Sequence, residues 1–346
     1  MAEMSVTGGV FATLAPIFTL WYGHKDITYD ITPYVISIRY HDSIKNESDT
    51  IAITLDDTDG RWIKEWYPGK GDTLALHIGY QGEKLLDCGQ YIIDKIDISA
   101  PPSTVNIDGI ATSVNQALRT RNSQGFEETT LSAIASRIAQ THGLKLVGKI
   151  ESLTIDRVTQ YGETDVGFLK RMASEYGYAV KVTTKELIFS HLPTLRCLAP
   201  VKKIDRKDVS HFTFKDTINR IYKNATVQHQ NSKKKELVIY THDSQQKPSV
   251  RGVGTSADTL KLNSRATDVG AAQAKANAAL DSHNEYQQTG TLTMMGCPEL
   301  TAGNKIELTD FGVLSGQWLI DKSTHSFVRS GYTTEIDVSR GPATSQ

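Results

Sequence analysis

The sequence predicts a β-rich α+β protein, with two related β-barrel domains and a small α/β domain between them. Three observations carry that reading. Short runs of alternating apolar and polar residues, separated by turn formers, fill the first third and the tail. Helical periodicity is confined to the middle of the chain and to one Ala-rich segment. One block of strands occurs twice. The domains are placed at residues 1–125, 126–200 and 201–346, the last with a polar loop and the Ala-rich helix.

In the first domain, Thr50 to Leu55 alternates with period two and stops at Asp56-Asp57-Thr58-Asp59-Gly60. Thr73 to Ile78 alternates again and ends at Gly79. Gln90 to Ile98 and Thr104 to Ile110 follow, with the turn Ser99-Ala100-Pro101-Pro102-Ser103 between them. From residue 126 the pattern changes. Leu131, Ile134, Ala135, Ile138 and Ala139 share one helix face, with Thr129 or Thr130 as cap and Gly143 as stop. A second helix is predicted from Asp165 to Tyr176, capped by Thr164, with Val166, Leu169, Met172, Ala173 and Tyr176 inward and Gly177 as stop. Tyr178 to Ser190 reads as a hairpin with Thr184-Lys185 near its tip. In the third domain, Phe212 to Phe214, Tyr222 to Gln230 and Glu236 to Thr241 alternate, with Lys233-Lys234-Lys235 at a solvated tip. Asp243 to Ser256 reads as a polar loop, and Thr267 caps an Ala-rich helix over Asp268–Asn284. Short alternating strands return from Thr289 to Arg340.

The duplication is the most informative feature. Gly89-Gln90-Tyr91-Ile92-Ile93-Asp94-Lys95 reappears as Gly316-Gln317-Trp318-Leu319-Ile320-Asp321-Lys322, identical except for two conservative changes. Upstream, Gly71 to Leu76 parallels Gly303 to Leu308, and Thr50 to Leu55 parallels Thr289 to Thr293. Downstream, Val105 to Ile110 parallels Thr333 to Val338. Four strands in one order make a repeated module. Three such chains in a closed ring would present six similar barrels, which lets a threefold object dock on a sixfold one.

Composition limits the function classes. In 346 residues, 38 Lys+Arg against 39 Asp+Glu give a net charge of −1, unlike a dedicated duplex-DNA binder. No run approaches the roughly 18 apolar residues of a membrane span, and Met1 to Ile17 lacks a basic signal-peptide start. Cys88, Cys197 and Cys297 cannot form a disulfide framework and suit a reducing cytosol.

At this point the residues resemble a known family, the phage late control gene D proteins, which are baseplate hubs of contractile tails. The resemblance covers nearly the whole chain. It runs through Ser48-Asp49-Thr50 and Leu55 to Gly60, then Gly79-Tyr80-Gln81-Gly82, Gly89 to Asp94 and Arg119-Thr120-Arg121. It continues through Thr130 to Ile134, Gln160 to Asp165, Phe168 to Ala173, Trp318-Leu319-Ile320, His325-Ser326-Phe327 and Ser330 to Thr334. The resemblance implies tube-like barrels and a homotrimer forming a pseudo-sixfold ring. That trimer would join the hexameric tail tube protein to the central spike protein, beside other baseplate proteins, in a contractile phage or a phage-derived tailocin. It also implies kinship with the N-terminal hub part of type VI secretion spike proteins. Assembly is expected in the bacterial host cytoplasm, with DNA passing through the lumen but not stably bound. No spike β-helix precedes Gln346, so the spike is expected on a separate chain.

An enzyme is the competing class, most concretely a tail-associated peptidoglycan-degrading one. The usual constellations fail. If Gly60 stood at position 6 of a calcium loop, Leu55 and Trp66 would stand where acids are required. Gly252 to Ala257 echoes a dinucleotide fingerprint without a preceding strand. The histidines lack metal-ligand spacing, and no C-x-x-C, Walker loop or nucleophile elbow is present. The expectation is therefore a chain with no catalytic residues, cofactor or metal. Candidate interface residues are Trp62, Trp66, Arg119 and Arg121. The two tryptophans read either as interface anchors or as plugs of the first barrel's own core, the latter favoured for one of them. The two arginines read either as a hinge or subunit contact, or as a solvated linker.

Overall fold

A computed structural model describes residues 14–45, 48–111, 120–183, 185–217, 222–231, 236–243, 259–262, 264 and 269–341. Arg119, Thr184, the Lys233–Lys235 run, the 244–256 loop, the Gly252–Ala257 run and the Thr267 cap lie outside the described residues.

Alternation sets the first strands: β1 (Pro16–Tyr22), β2 (Lys25–Asp26), β3 (Val35–Ser43), β4 (Thr50–Asp56), β5 (Thr73–Tyr80), β6 (Leu86–Ser99) and β7 (Thr104–Ala111). In β4, Ile51, Ile53 and Leu55 are buried while Thr50, Ala52, Thr54 and Asp56 are only half-buried, as the pleat requires. The sequence reading omitted β1 and β3. The C-terminal end of β3 buries Asp42 and Ser43, so its pattern does not read as apolar.

Next come β8 (Arg121–Thr130), β9 (Lys145–Val147), β10 (Thr154–Thr164), β11 (Tyr178–Val182) and β12 (Glu186–His191). The helix Leu131–Thr141 buries the five residues its spacing predicts, and the Thr130 hydroxyl accepts from the Ala133 N–H. In the helix Asp165–Glu175 the Thr164 hydroxyl accepts from Gly167, but the core face differs from the expected one. Phe168 and Asp165 are buried there, whereas Val166 is only half-buried. β8 pairs antiparallel with β10, Arg121 to Thr130 against Thr164 to Thr154.

The remaining strands are β13 (Lys202–Asp205), β14 (Val209–Asp216), β15 (Asn224–Asn231), β16 (Glu236–Asp243), β17 (Thr259–Leu262), β18 (Gln288–Met295), β19 (Lys305–Thr309), β20 (Gly316–Val328) and β21 (Gly331–Arg340). β16, β15 and β17 stand apart from the main sheet as a three-stranded sheet. They share a small core with the helix Val269–Asn284: Ala225 and Val227 against Ala271, Ala272, Ala276 and Leu280. Small side chains on both partners let helix and sheet approach closely.

The other strands form one 13-stranded sheet, in the order β14-β18-β21-β20-β3-β4-β7-β6-β5-β1-β2, with β13 on β19 and β19 on β20. Each half of this sheet covers its own hydrophobic cluster. The strand order β3-β4-β7-β6-β5-β1 in one half is repeated as β14-β18-β21-β20-β19-β13 in the other. Details repeat too. β6 against β7 shifts register between Ile93 and Lys95, and β20 against β21 shifts between the equivalent Ile320 and Lys322. β3 against β4 shifts between Val35 and Ser37, and β14 against β18 between Val209 and His211. Gly71 and Gly303 both adopt positive φ, which a side chain would resist, and their N–H groups donate to Ile93 and Ile320 respectively. The register corrects one expected correspondence: Val105 matches Thr334 rather than Thr333, which puts Val105, Ile107 and Gly109 on the same buried face as Thr334, Ile336 and Val338. The outermost pairs differ, since β1 runs antiparallel to β5 and β13 parallel to β19.

Candidate functional site

The two halves meet at a seam where β3 pairs antiparallel with the second half of β20, Ser37 to Ser43 against Val328 to Lys322. Its inner face is apolar and aromatic. Phe327 faces Ile38 across the strands and meets Phe18 edge-on at 5.1 Å. Tyr40 stacks on His325 at 5.8 Å. His325 is 0% exposed and fully engaged: Nε2–H donates to the Leu300 carbonyl at 3.1 Å, and Nδ1 accepts from the Tyr332 hydroxyl at 2.6 Å. Burial pushes this imidazole down to about 4, with the Leu300 carbonyl and Asp42 pulling weakly the other way, so it is neutral at pH 7.

Two ionic junctions tie the α/β unit to this seam. Lys181 of β11 reaches Asp42 at 2.6 Å and Asp49 at 2.8 Å, and the second Asp42 oxygen accepts the Ala302 N–H at 2.9 Å. Glu285, after the Val269–Asn284 helix, is buried between Lys45 and Arg196. Burial pushes Asp321, the bulge residue of β20, up to about 6, opposed by Lys45 and Arg196. Each junction joins segments distant in sequence, which suits a rigid scaffold. Sequence patterning gave no sign of them, because acids at inward strand positions read as interruptions.

The aromatic loop between β4 and β5 holds Trp62 and Trp66. Trp62 is buried in the first core, its backbone N–H donating to Asp57 at 2.9 Å, while Trp66 is 37% exposed. Their rings meet edge-on at 5.3 Å, and Arg61 lies over Tyr34 and Trp66 at 4.3 and 4.8 Å. The loop therefore combines a plug with an open aromatic edge beside exposed Ile63 and Tyr67. Trp66→Ala is expected to cost about 1 kcal/mol in stability, read from the urea midpoint, since its outer edge already meets water. Arg121 is not in a linker. It opens β8, pairs with Thr164, and donates to the Gly162 carbonyl at 3.4 Å. β8 lies with β10 in a separate two-stranded sheet, whereas the Trp62–Trp66 loop joins two strands of the main sheet.

The acids and the thiol around the seam are engaged in the scaffold. The buried Asp42 and the half-buried Asp49 both hold Lys181. Burial pushes the Cys88 thiol up, away from the reactive thiolate. Among the described residues, no group of three or more His, Cys, Asp or Glu side chains could hold a metal ion. No helix among them is long and apolar enough to cross a membrane.

Comparison with known proteins agrees with this scaffold-like arrangement. A family model described as phage tail baseplate hub (GPD) matches residues 115–331. A probable baseplate hub protein of Escherichia phage 186 is 26% identical over 377 aligned positions, covering 97% of this chain and 95% of that protein. The crystal structure of the 43 kDa tail protein of prophage MuSo2 from Shewanella oneidensis shares the fold, with a TM-score of 0.68 at 16% identity over 94% of this chain and 98% of that one. An Escherichia coli component of the type VI secretion system shares it at a TM-score of 0.57 and 13% identity, over 90% of this chain and 74% of that one.

Proposed function

The chain belongs to the phage tail baseplate hub (GPD) family, and from that premise we propose that it acts as a homotrimeric symmetry adaptor between a hexameric tail tube and a central spike. The observation that carries this reading is the internal repeat of the sheet, in which strand order, bulges and the glycine-led hydrogen bonds coincide between halves. Each half is a tube-like barrel module with its own core, so a ring of three chains offers six quasi-equivalent modules to the tube and three identical chains to the spike. The domains are then the N-terminal module, the α/β unit and the C-terminal module, with the small sheet and Val269–Asn284 helix inserted in the last. The protein's place is the virion tail baseplate, in a contractile phage or tailocin, assembled in the host cytoplasm beside other baseplate proteins. The near-zero net charge suits a lumen that lets DNA pass without gripping it.

The role is mechanical rather than catalytic. A peptidoglycan-degrading activity requires two carboxylates free to trade protons over a cleft, and the pair at the seam, Asp42 and Asp49, is committed to Lys181 instead, which supports the mechanical reading. Light scattering of the purified chain should give three times the chain mass, and images should show a ring of six lobes without release of fragments from peptidoglycan. A monomeric or dimeric particle overturns the adaptor, as does peptidoglycan turnover abolished by a single carboxylate substitution.

A further inference from the structure

The equivalence of the two halves leaves two strand edges unmatched. Residues 322–328 of β20 are covered on one side by β21 and on the other by β3. Their equivalents, residues 95–101, follow from Gly316 standing where Gly89 stands in the repeat. From Asp94 to Ser99, β6 pairs with β7 alone among the described residues. Likewise β3 is covered by β4 and β20, whereas its equivalent β14 is covered by β18 alone among them. So one half has both sides of the seam filled within the chain, and the other two edges have the same geometry but no occupant among the described residues.

We infer that these two edges meet between copies of the chain: β14 of one protomer pairs antiparallel with the 95–99 end of β6 of another, repeating the register of the β3–β20 seam. The register follows from the observed pairs without free choice. Against β4 and β18, His41 corresponds to Lys215 and Tyr40 to Phe214. Along the duplicated heptapeptide, Thr324 corresponds to Asp97 and His325 to Ile98. The seam pairs His41 with Thr324 and Tyr40 with His325, so the intermolecular joint pairs Lys215 with Asp97 and Phe214 with Ile98.

The chemistry at these positions fits. On the outer face of the seam, His41 Nδ1 and Thr324 Oγ1 are 3.1 Å apart, and the corresponding pair in the joint carries opposite charges. Opposite charges directly across antiparallel strands are favourable, and like charges there are not. On the inner face, Tyr40 and His325 are buried, while Ile98 is 48% exposed and Phe214 half-buried. Closing the joint covers that isoleucine with an aromatic ring, as the seam covers His325. An open edge with an exposed isoleucine is otherwise a liability for aggregation.

This inference rests on the ring reading above, and the experiment separates the two. In a Cys197→Ser background, Lys215→Cys with Asp97→Cys places two thiols directly opposite, within the Cα separation a disulfide spans. Both positions are outside the core, so folding is not at risk. Mild oxidation is expected to give a covalent trimer on a denaturing gel, with neither single variant doing so. Independently, Lys215→Asp is expected to weaken assembly by at least about tenfold, and Lys215→Asp with Asp97→Lys to restore it. A trimer by light scattering that neither cross-links nor responds to charge reversal overturns the joint and leaves the ring. A chain that stays monomeric overturns both.

Discussion

His325→Ala is expected to lower the stability of the folded chain by about 3 kcal/mol at pH 7 and by only about 1 kcal/mol at pH 5. The first figure reflects the cavity left by a buried ring that stacks on Tyr40, together with the loss of its hydrogen bonds to Leu300 and Tyr332. The second follows from the direction of its pKa. A histidine whose folded pKa is depressed contributes stability that is present above its unfolded value of 6.5 and is lost as pH falls towards about 4. At pH 5 that loss amounts to about 2 kcal/mol in the wild type, and the alanine variant cannot suffer it. Asp321 and Asp49 work the other way. Burial raises both to about 6, so their contributions are full at low pH and lost as pH rises through 6. The difference between wild type and variant, taken from urea midpoints at each pH, removes those shared contributions. A gap that does not narrow on acidification would show that His325 is charged in the folded seam.

Asp165→Ala is expected to cost about 3–5 kcal/mol and to loosen the α/β unit before the main sheet. This buried carboxylate accepts from His142 at 2.7 Å, from Gln160 at 2.8 Å and from Asn122 at 2.9 Å. Burial alone would raise its pKa, but the hydrogen bonds from Gln160, Asn122 and His142 outweigh burial and hold it below the usual carboxylate range. Its stabilising contribution is therefore present above pH ~4 and lost on further acidification. The four side chains come from β8, the Leu131–Thr141 helix and its stop, β10 and the Asp165–Glu175 helix, so one residue fixes the arrangement of the unit. Hydrogen exchange should show faster opening of residues 121–191, while β4 and β7 keep their protection. Uniform loss across the whole chain would mean that the units do not open separately.

How much of this was legible beforehand depended on the range of the interaction. Leu131, Ile134, Ala135, Ile138 and Ala139 announce their helix because all the needed contacts repeat within one turn. The repeat was legible because Gly71, Gly89, Gly303 and Gly316 sit where the backbone turns left-handed, and so mark matching corners. β3 was not, since its C-terminal end buries the polar Asp42 and Ser43 and its partner β20 lies some 280 residues along the chain. The bulges at Asp94 and Asp321 were equally invisible, because a single extra residue changes facing only relative to a partner strand. The candidate residues fared unevenly for the same reason. Two tryptophans in one loop signal aromatic density, but only packing against Tyr34 and Asp57 separates the buried Trp62 from the open Trp66.

The edges of β6 and β14, open among the described residues, also bear on the life of a free chain if the proposed joint is its destination. On that reading a newly made chain carries two open strand margins, and any extended peptide in a crowded cell competes for them. The residues on these margins limit that risk. Lys95, Asp97, Lys215 and Asp216 place charge on strands that an indiscriminate stack of β-structure would have to bury. A slip of two residues that set Lys215 against Lys95 would bring like charges together, so mispairing in that direction is penalised before it can grow. In the proposed joint the same few side chains thus act as a filter, favouring a strand of matching sign and spacing over a mismatched one.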